Sequence, residues 1–192
     1  MDKEESGRER ILGIDPGTNI MGFAILDVYG RKSEVVAVDV VKMVKLKTQA
    51  EKLKCIFSSL KEVVDKYSPD VLAIEEPFFG KNPQSMLKLG RAQGVAMAAA
   101  LEAGLEIFEY PPRRIKQAIT GVGSASKEQV AAMLKNIYPN MEQPDYFDAT
   151  DALAVAVCHH LQNTVSFIPA RKSGWKAFLT QHSDRIISDS KK

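Results

Sequence analysis

Four carboxylates occupy places that packing alone does not explain. Asp15 ends the apolar run Ile11 to Ile14 and is followed by a Pro16-Gly17 turn. A second strand-like run, Asp70 to Ile74, ends on Glu75-Glu76-Pro77. Asp148 and Asp151 stand three apart ahead of an apolar stretch, so they project from one helical face. Charged side chains are rarely buried unless they are paired or bind a metal. Helix capping accounts for Asp145, a natural N-cap at the start of the same helix. It accounts poorly for Asp151, which lies in the second turn beside the core residues Ala152 and Leu153. Carboxylates gathered in one place repel and raise each other's pKa, and a divalent cation removes that cost. Hard oxygen donors suit Mg²⁺ or Mn²⁺ better than zinc, and no His or Cys cluster competes for the role. Two such ions held by carboxylates fit in-line hydrolysis of a phosphodiester.

Basic residues stand where that chemistry needs them. Lys81, Lys88 and Arg91 follow the Glu75 run, and Arg113, Arg114, Lys116 and Lys127 precede the last helix. Most Lys and Arg are solvated surface, but these two stretches are locally basic in a chain of net charge +2, which fits phosphate contacts. Phe78-Phe79 directly after the acid pair is either core or a loop couple that stacks on bases.

The elements that must position these residues follow from periodicity. Ile11–Ile14 and Met21–Leu26 read as two antiparallel strands, with a third over Glu34 to Val44. Lys47 to Tyr67 has helical spacing and stops at Ser68-Pro69. Asp70–Ile74 is a buried strand and Gln84 to Ala103 a long Ala-rich helix. Its Gly90, Gly94 and Ala98 form a small-residue stripe, which packs either on the domain's own sheet or on a second copy of the helix. Leu105 to Glu109 is a further strand. Short helices over Arg113–Thr120 and Lys127–Ile137 follow, the latter capped by Ser124 or Ser126. The last strong helix spans Asp145 to Leu161. This order predicts an α/β fold, a mixed five-stranded sheet flanked by helices.

Composition narrows the class. At 192 residues a single domain is expected, with residues 1–9 as a polar tail, 10–162 as the domain and 163–192 as a partly ordered extension. No apolar run is long enough to span a membrane, and the polar start MDKEESGRER is not a secretion signal. Cys55 and Cys158 match no metal or redox spacing and read as reduced thiols, so the expected compartment is the cytoplasm.

Four motifs in order carry a family resemblance: ILGIDPGTNIMGFAIL, LAIEEPFFGKNPQSMLKLGRAQGVAMAAAL, FEYPPRRIKQAITGVGSASKEQV and DYFDATDALAVAVCHH. Together they closely resemble the RuvC family of bacterial Holliday-junction resolvases, from about Ile11 to Leu161. The resemblance implies an RNase H-like fold of the ribonuclease H/integrase superfamily. It implies a homodimer that binds four-way DNA junctions and nicks two opposed strands symmetrically, in recombination and DNA repair. The expected cofactor is Mg²⁺, two ions per subunit, with Mn²⁺ as a substitute. The family's metal-binding carboxylates fall on Asp15, Glu75, Asp148 and Asp151, which selects Glu75 over Glu76, a choice that periodicity leaves open. Its active-site lysines fall on Lys116 and Lys127 and its base-stacking aromatic on Phe78. It tips the Gly90/Gly94/Ala98 stripe toward a dimer, and implies the RuvA and RuvB branch-migration complex as a partner. Pro77 and Pro83 depart from the family pattern around Phe78.

Three rival readings are weaker. The actin-like sugar kinase/ATPase group shares a strand followed by Asp-x-Gly-Thr, as in Asp15-Pro16-Gly17-Thr18, but needs a duplicated domain for which this chain has no room. YqgF-type RNase H-fold nucleases share the first strand and match the later motifs less well. A catalytically silent junction-binding protein would lack at least one of the four acids.

Overall fold

The structure, a computed structural model, describes residues 7–77, 82–142 and 144–166. Five strands form one sheet: β1 (Glu9–Asp15), β2 (Ile20–Tyr29), β3 (Lys32–Lys42), β4 (Val71–Glu75) and β5 (Glu106–Tyr110). Their spatial order is β3-β2-β1-β4-β5. The β1-β2 and β2-β3 pairs are antiparallel, whereas β1-β4 and β4-β5 are parallel. The sheet is therefore mixed, as expected.

Five helices cover it: α1 (Gln49–Tyr67), α2 (Pro83–Glu102), α3 (Pro112–Thr120), α4 (Lys127–Ile137) and α5 (Phe147–Ser166). Alternation along the strands splits the core in two. Ile11, Ala24, Val71 and Ala73 face α5, with α3 and α4 outside it. Leu12, Ile14, Ile25, Leu72 and Ile74 face α1 and α2. Both faces of β1 and β4 are thus buried, which explains their near-continuous apolar runs.

Element boundaries differ from expectation where local chemistry decides. Thr48 caps α1 through a capping box with Glu51, so the helix begins at Gln49 rather than Lys47. Asn82 caps α2 by accepting from the backbone N–H groups of Gln84 and Ser85. That makes Pro83 the first helical residue rather than part of the loop. Ser126, not Ser124, caps α4, again through a capping box. The largest correction is Asp145. Because α5 begins at Phe147, Asp145 lies ahead of the capping position and is not the N-cap.

At the far end of β1, Arg10 pairs with the buried Asp27 at 2.6 Å and donates to the Tyr67 carbonyl at 2.5 Å. This holds β1, β2 and the end of α1 together, away from the acid-tipped end of the sheet.

Candidate active site

Parallel pairing brings the first two acids together. Ile14 of β1 lies opposite Ile74 of β4, so Asp15 and Glu75, the next residues along, leave the sheet side by side. Alternation puts both on the α5 face, since Gly13 and Ala73 two residues back face that way. Glu76 has the opposite phase, and its backbone N–H donates to the Tyr110 carbonyl at 2.9 Å.

The other two acids arrive on α5, and glycines decide how near. A Cβ on Gly13 would lie 2.3 Å from the Ala152 carbonyl oxygen. One on Gly22 would lie 1.8 Å from the Asp148 carbonyl oxygen. Gly22 is the β2 partner of Asp15. Its missing side chain therefore lets the first turn of α5 rest on the sheet beside Asp15. These two glycines are functional residues that the motif reading passed over. Their signal was glycine inside an apolar strand, which marks close backbone approach.

Asp15, Glu75, Asp151, Lys116 and Lys127 line one cavity of about 80 Å³, floored by Ile115, Val130 and Ala154. Burial, reinforced by Glu75, Asp151 and Asp148, pushes the Asp15 carboxyl up to about 8. Burial and the charge of Asp151 push Glu75 up to about 7. Two cations stand among them, Lys116 and Lys127, and both act on Glu75. The Lys127 Nζ donates to Asp151 Oδ2, and its charge also acts on Asp15, Asp148 and Glu75. Burial draws the Lys127 pKa down, but the hydrogen bond to Asp151 and the surrounding carboxylates outweigh it and the net shift is upward. Among the described residues no three acids, histidines or cysteines stand arranged to hold one metal ion as they are. Carboxylates gathered in this way raise one another's pKa, and the charges of Lys127 and Lys116 act against that at Glu75.

The remaining predicted residues scatter. Arg113 and Lys116 line an open groove of about 700 Å³ beside the cavity, walled by Gly121 to Ser124. Gly123 packs against Arg113, where a Cβ would meet Cγ at 2.6 Å. Arg114 points elsewhere and donates to Gln162 Oε1 at 3.2 Å, three turns along α5 from Asp151. Lys88 and Arg91 are exposed on α2, across the sheet from α5. Phe78 and Lys81 lie outside the described residues, as does the extension beyond residue 166. A larger groove, about 810 Å³, runs along the edge strand β3 and contains none of the four acids.

Comparison with known proteins decides the family. The model of the family "Crossover junction endodeoxyribonuclease RuvC" matches residues 11–159. This chain belongs to the RuvC family. A RuvC of Bacteroides fragilis is 50% identical over 178 residues, covering 92% of this chain and 95% of that one. A RuvC of Cytophaga hutchinsonii is 49% identical over 176 residues, covering 92% and 87%. Among solved structures, Thermus thermophilus RuvC in complex with a Holliday junction substrate superposes with a TM-score of 0.76. It is 33% identical and covers 82% of this chain and 96% of its own. The fold is thus the RNase H-like fold of RuvC. No helix among the described residues is long and apolar enough to cross a membrane.

Proposed function

We infer that this chain is a crossover junction endodeoxyribonuclease, which resolves four-way DNA junctions by hydrolysing phosphodiesters in two opposed strands. One observation carries the reading: three carboxylates and two lysines from β1, β4, α3, α4 and α5 converge on one cavity in a chain of the RuvC family. The T. thermophilus relative in complex with its Holliday junction supports the substrate class.

The donor set fits divalent ions. Asp15, Glu75, Asp148 and Asp151 supply only carboxylate oxygen, the chemistry of Mg²⁺ with Mn²⁺ as a substitute. Two ions bound there would activate water and stabilise the leaving oxygen. The chain's own residues do the rest. Asp15 and Glu75, side by side on adjacent strand ends, would hold the ions as carboxylates, so binding would compete with their protons. Lys127, which donates to Asp151 at the edge of the cavity, lies where it would also reach a phosphate oxygen. Lys116 stands at the mouth shared by the cavity and the neighbouring groove, where a scissile strand would enter. Arg113 continues that basic wall and, with Phe78, Lys81, Lys88, Arg91 and Arg114, completes the proposed DNA contacts.

Two opposed nicks need two sites, so the active species is a homodimer. The outward-facing α2 stripe supports this: among the described residues, nothing lies within 4 Å of a Cβ built on Gly90 or Gly94. The stripe is therefore not used to pack on the domain's own sheet. Family membership also supports RuvA and RuvB as partners, and the cytoplasm as the compartment.

The deciding experiment maps both nicks on a mobile four-way junction in Mg²⁺. Symmetric nicks on opposed strands are expected, together with tighter binding to the junction than to linear duplex at matched salt. Asp15→Asn should bind the junction and cut it at less than about 0.1% of the native rate, a loss of more than about 4 kcal/mol. Full cleavage by that variant would remove Asp15 from the chemistry.

A further inference from the structure

The segment from Lys42 to Lys54 holds five lysines and one glutamate, in a chain whose total charge is only +2. The structure puts this segment at the acid-tipped end of the sheet. Lys42 ends β3 opposite Ile20, just beyond the Asp15–Gly22 pairing of β1 and β2. From β1 to β3 is two strand spacings, about 10 Å.

The segment is built rather than loose. The Met43 N–H donates to the Asn19 carbonyl at 2.8 Å, and the Leu46 N–H donates to the Met43 carbonyl at 3.0 Å. The Met43 side chain is fully buried. Lys52 Nζ donates to Asn19 Oδ1 at 2.6 Å and ties the first turns of α1 to the β1-β2 loop. Lys42 lies over the Tyr146 ring, 4.5 Å from its centre, and so touches the approach to α5. The corner is therefore braced against both the Asp15 loop and the helix that carries Asp148.

Its charge is not neutralised internally. Glu51, the segment's one acid, is occupied as a cap: its carboxylate accepts from the backbone N–H groups of Lys47 at 3.0 Å and Thr48 at 2.8 Å. Among the described residues, none of the five lysines lies within 4.0 Å of a carboxylate. Lys45, Lys47 and Lys54 are exposed. Further along α1 the pattern changes, and Lys61 is paired with Glu102 at 3.4 Å. Like charges held together on a braced corner repel one another, and a polyanion that releases counterions offsets that cost.

We propose that the Lys42–Lys54 corner is a second phosphate-binding surface, which takes the sugar-phosphate backbone of a junction arm outside the catalytic cavity. Lys45, Lys47 and Lys54 make the contacts, while Lys42 and Lys52 brace the platform. It lies across the sheet end from the Arg113/Lys116 groove, so the two basic surfaces flank the carboxylates. The proposal rests on the reading of the chain as a junction endonuclease. It adds an arm-holding surface to that reading.

Salt-dependent binding tests it. The native protein is compared with Lys45→Gln/Lys47→Gln and with Lys61→Gln/Lys66→Gln, which removes the same charge from the far end of α1. Each lost phosphate contact lowers the slope of log affinity against log salt by about 0.9. The corner variant should therefore lose about 2 from the slope and bind the junction at least about tenfold more weakly near 0.1 M salt. The control pair should keep the native slope. An unchanged slope in the corner variant overturns the proposal, and so does an equal loss in the control, which would mean bulk charge alone. A native protein with no preference for the junction over duplex would sink the functional reading separately. The slope comparison, made on linear duplex, would still decide whether the corner binds phosphate.

Discussion

At the scale of single residues, two of the four acids, Asp15 and Glu75, stand where their environment favours the neutral form. Asp15 is raised from an ordinary 3.8 to about 8, and Glu75 from 4.5 to about 7, with burial the largest cause in each. The sign of the consequence follows from linkage. The folded, metal-free protein holds protons that the unfolded chain has released, so these groups stabilise it most below about pH 4. That contribution is lost as pH rises through 7 to 8. A divalent cation bound by this pair, as proposed, would displace those protons, so its apparent affinity should climb over the same range. Between pH 6 and 8, the half-saturating Mg²⁺ concentration should fall by up to about tenfold per pH unit for each proton displaced. Thermal unfolding with and without Mg²⁺ should likewise show a larger ion-dependent rise in Tm at pH 8 than at pH 6. Equal Mg²⁺ affinity at both pH values would mean that Asp15 and Glu75 do not ligate the ion.

At the scale of elements, the site exists because α5 can lie directly on β1 and β2. A Cβ on Gly22 would sit 1.8 Å from the Asp148 carbonyl oxygen, which is backbone and cannot swing aside. Gly22→Ala must lift the first turn of α5 or twist β2. We expect a stability loss of about 3 kcal/mol or more, near the upper end for overpacking. Cleavage should fall further than the unfolded fraction explains, because Asp148 and Asp151 move with the helix. Thermal melts and single-turnover cleavage at 20 °C, read together, separate the two effects. A native Tm with native cleavage would refute the close-approach argument. The same contact explains what was legible in the sequence. Asp15 and the Glu75-Glu76 pair stood out because a charge ended an apolar run, and the i, i+3 spacing of Asp148 and Asp151 gave their common face. Local periodicity left Glu75 and Glu76 open and the family resemblance selected Glu75; the physical reason is the β1-β4 register, a long-range pairing that periodicity does not contain. The failed Asp145 cap had a local cause: an acid ahead of a helical pattern looks alike one residue inside or outside the capping position. Lys127 was legible as a basic residue near the site, but its hydrogen bond to Asp151 depends on how α4 docks on α5.

At the scale of the whole molecule, two opposed nicks call for two sites, and α2 offers the exposed face proposed to join two copies. Its inner side is spent on the domain: Ala92, Ala96, Ala99 and Ala100 are buried in the core that α2 shares with α1 and the sheet. Its outer side carries Gly94 and Ala98, exposed, between Leu87 at 58% and Leu101 at 62% exposure. Small residues between two leucines let a second helix approach closely and give it apolar surface to bury. The inner side also reaches the chemistry. Gln93 is buried, and its amide donates to Glu109 Oε2 at 3.0 Å and, more weakly, to the Glu75 carbonyl at 3.4 Å. The helix proposed to join two copies thus touches the strand end that carries Glu75, a proposed metal ligand. Gly94→Glu places a charge in the centre of the proposed contact without touching the domain's own core, since among the described residues nothing lies within 4 Å of a Cβ there. Its circular dichroism should match the native protein, while sedimentation at about 10 µM should show a monomer in place of a dimer. Losing the contact should weaken self-association by about 100-fold or more, as burying an unpaired charge costs several kcal/mol. On junctions, the monomer should leave singly nicked product, because the second cut no longer follows within the life of one complex. A Gly94→Glu protein that still sediments as a dimer and still nicks in pairs would move the interface off α2.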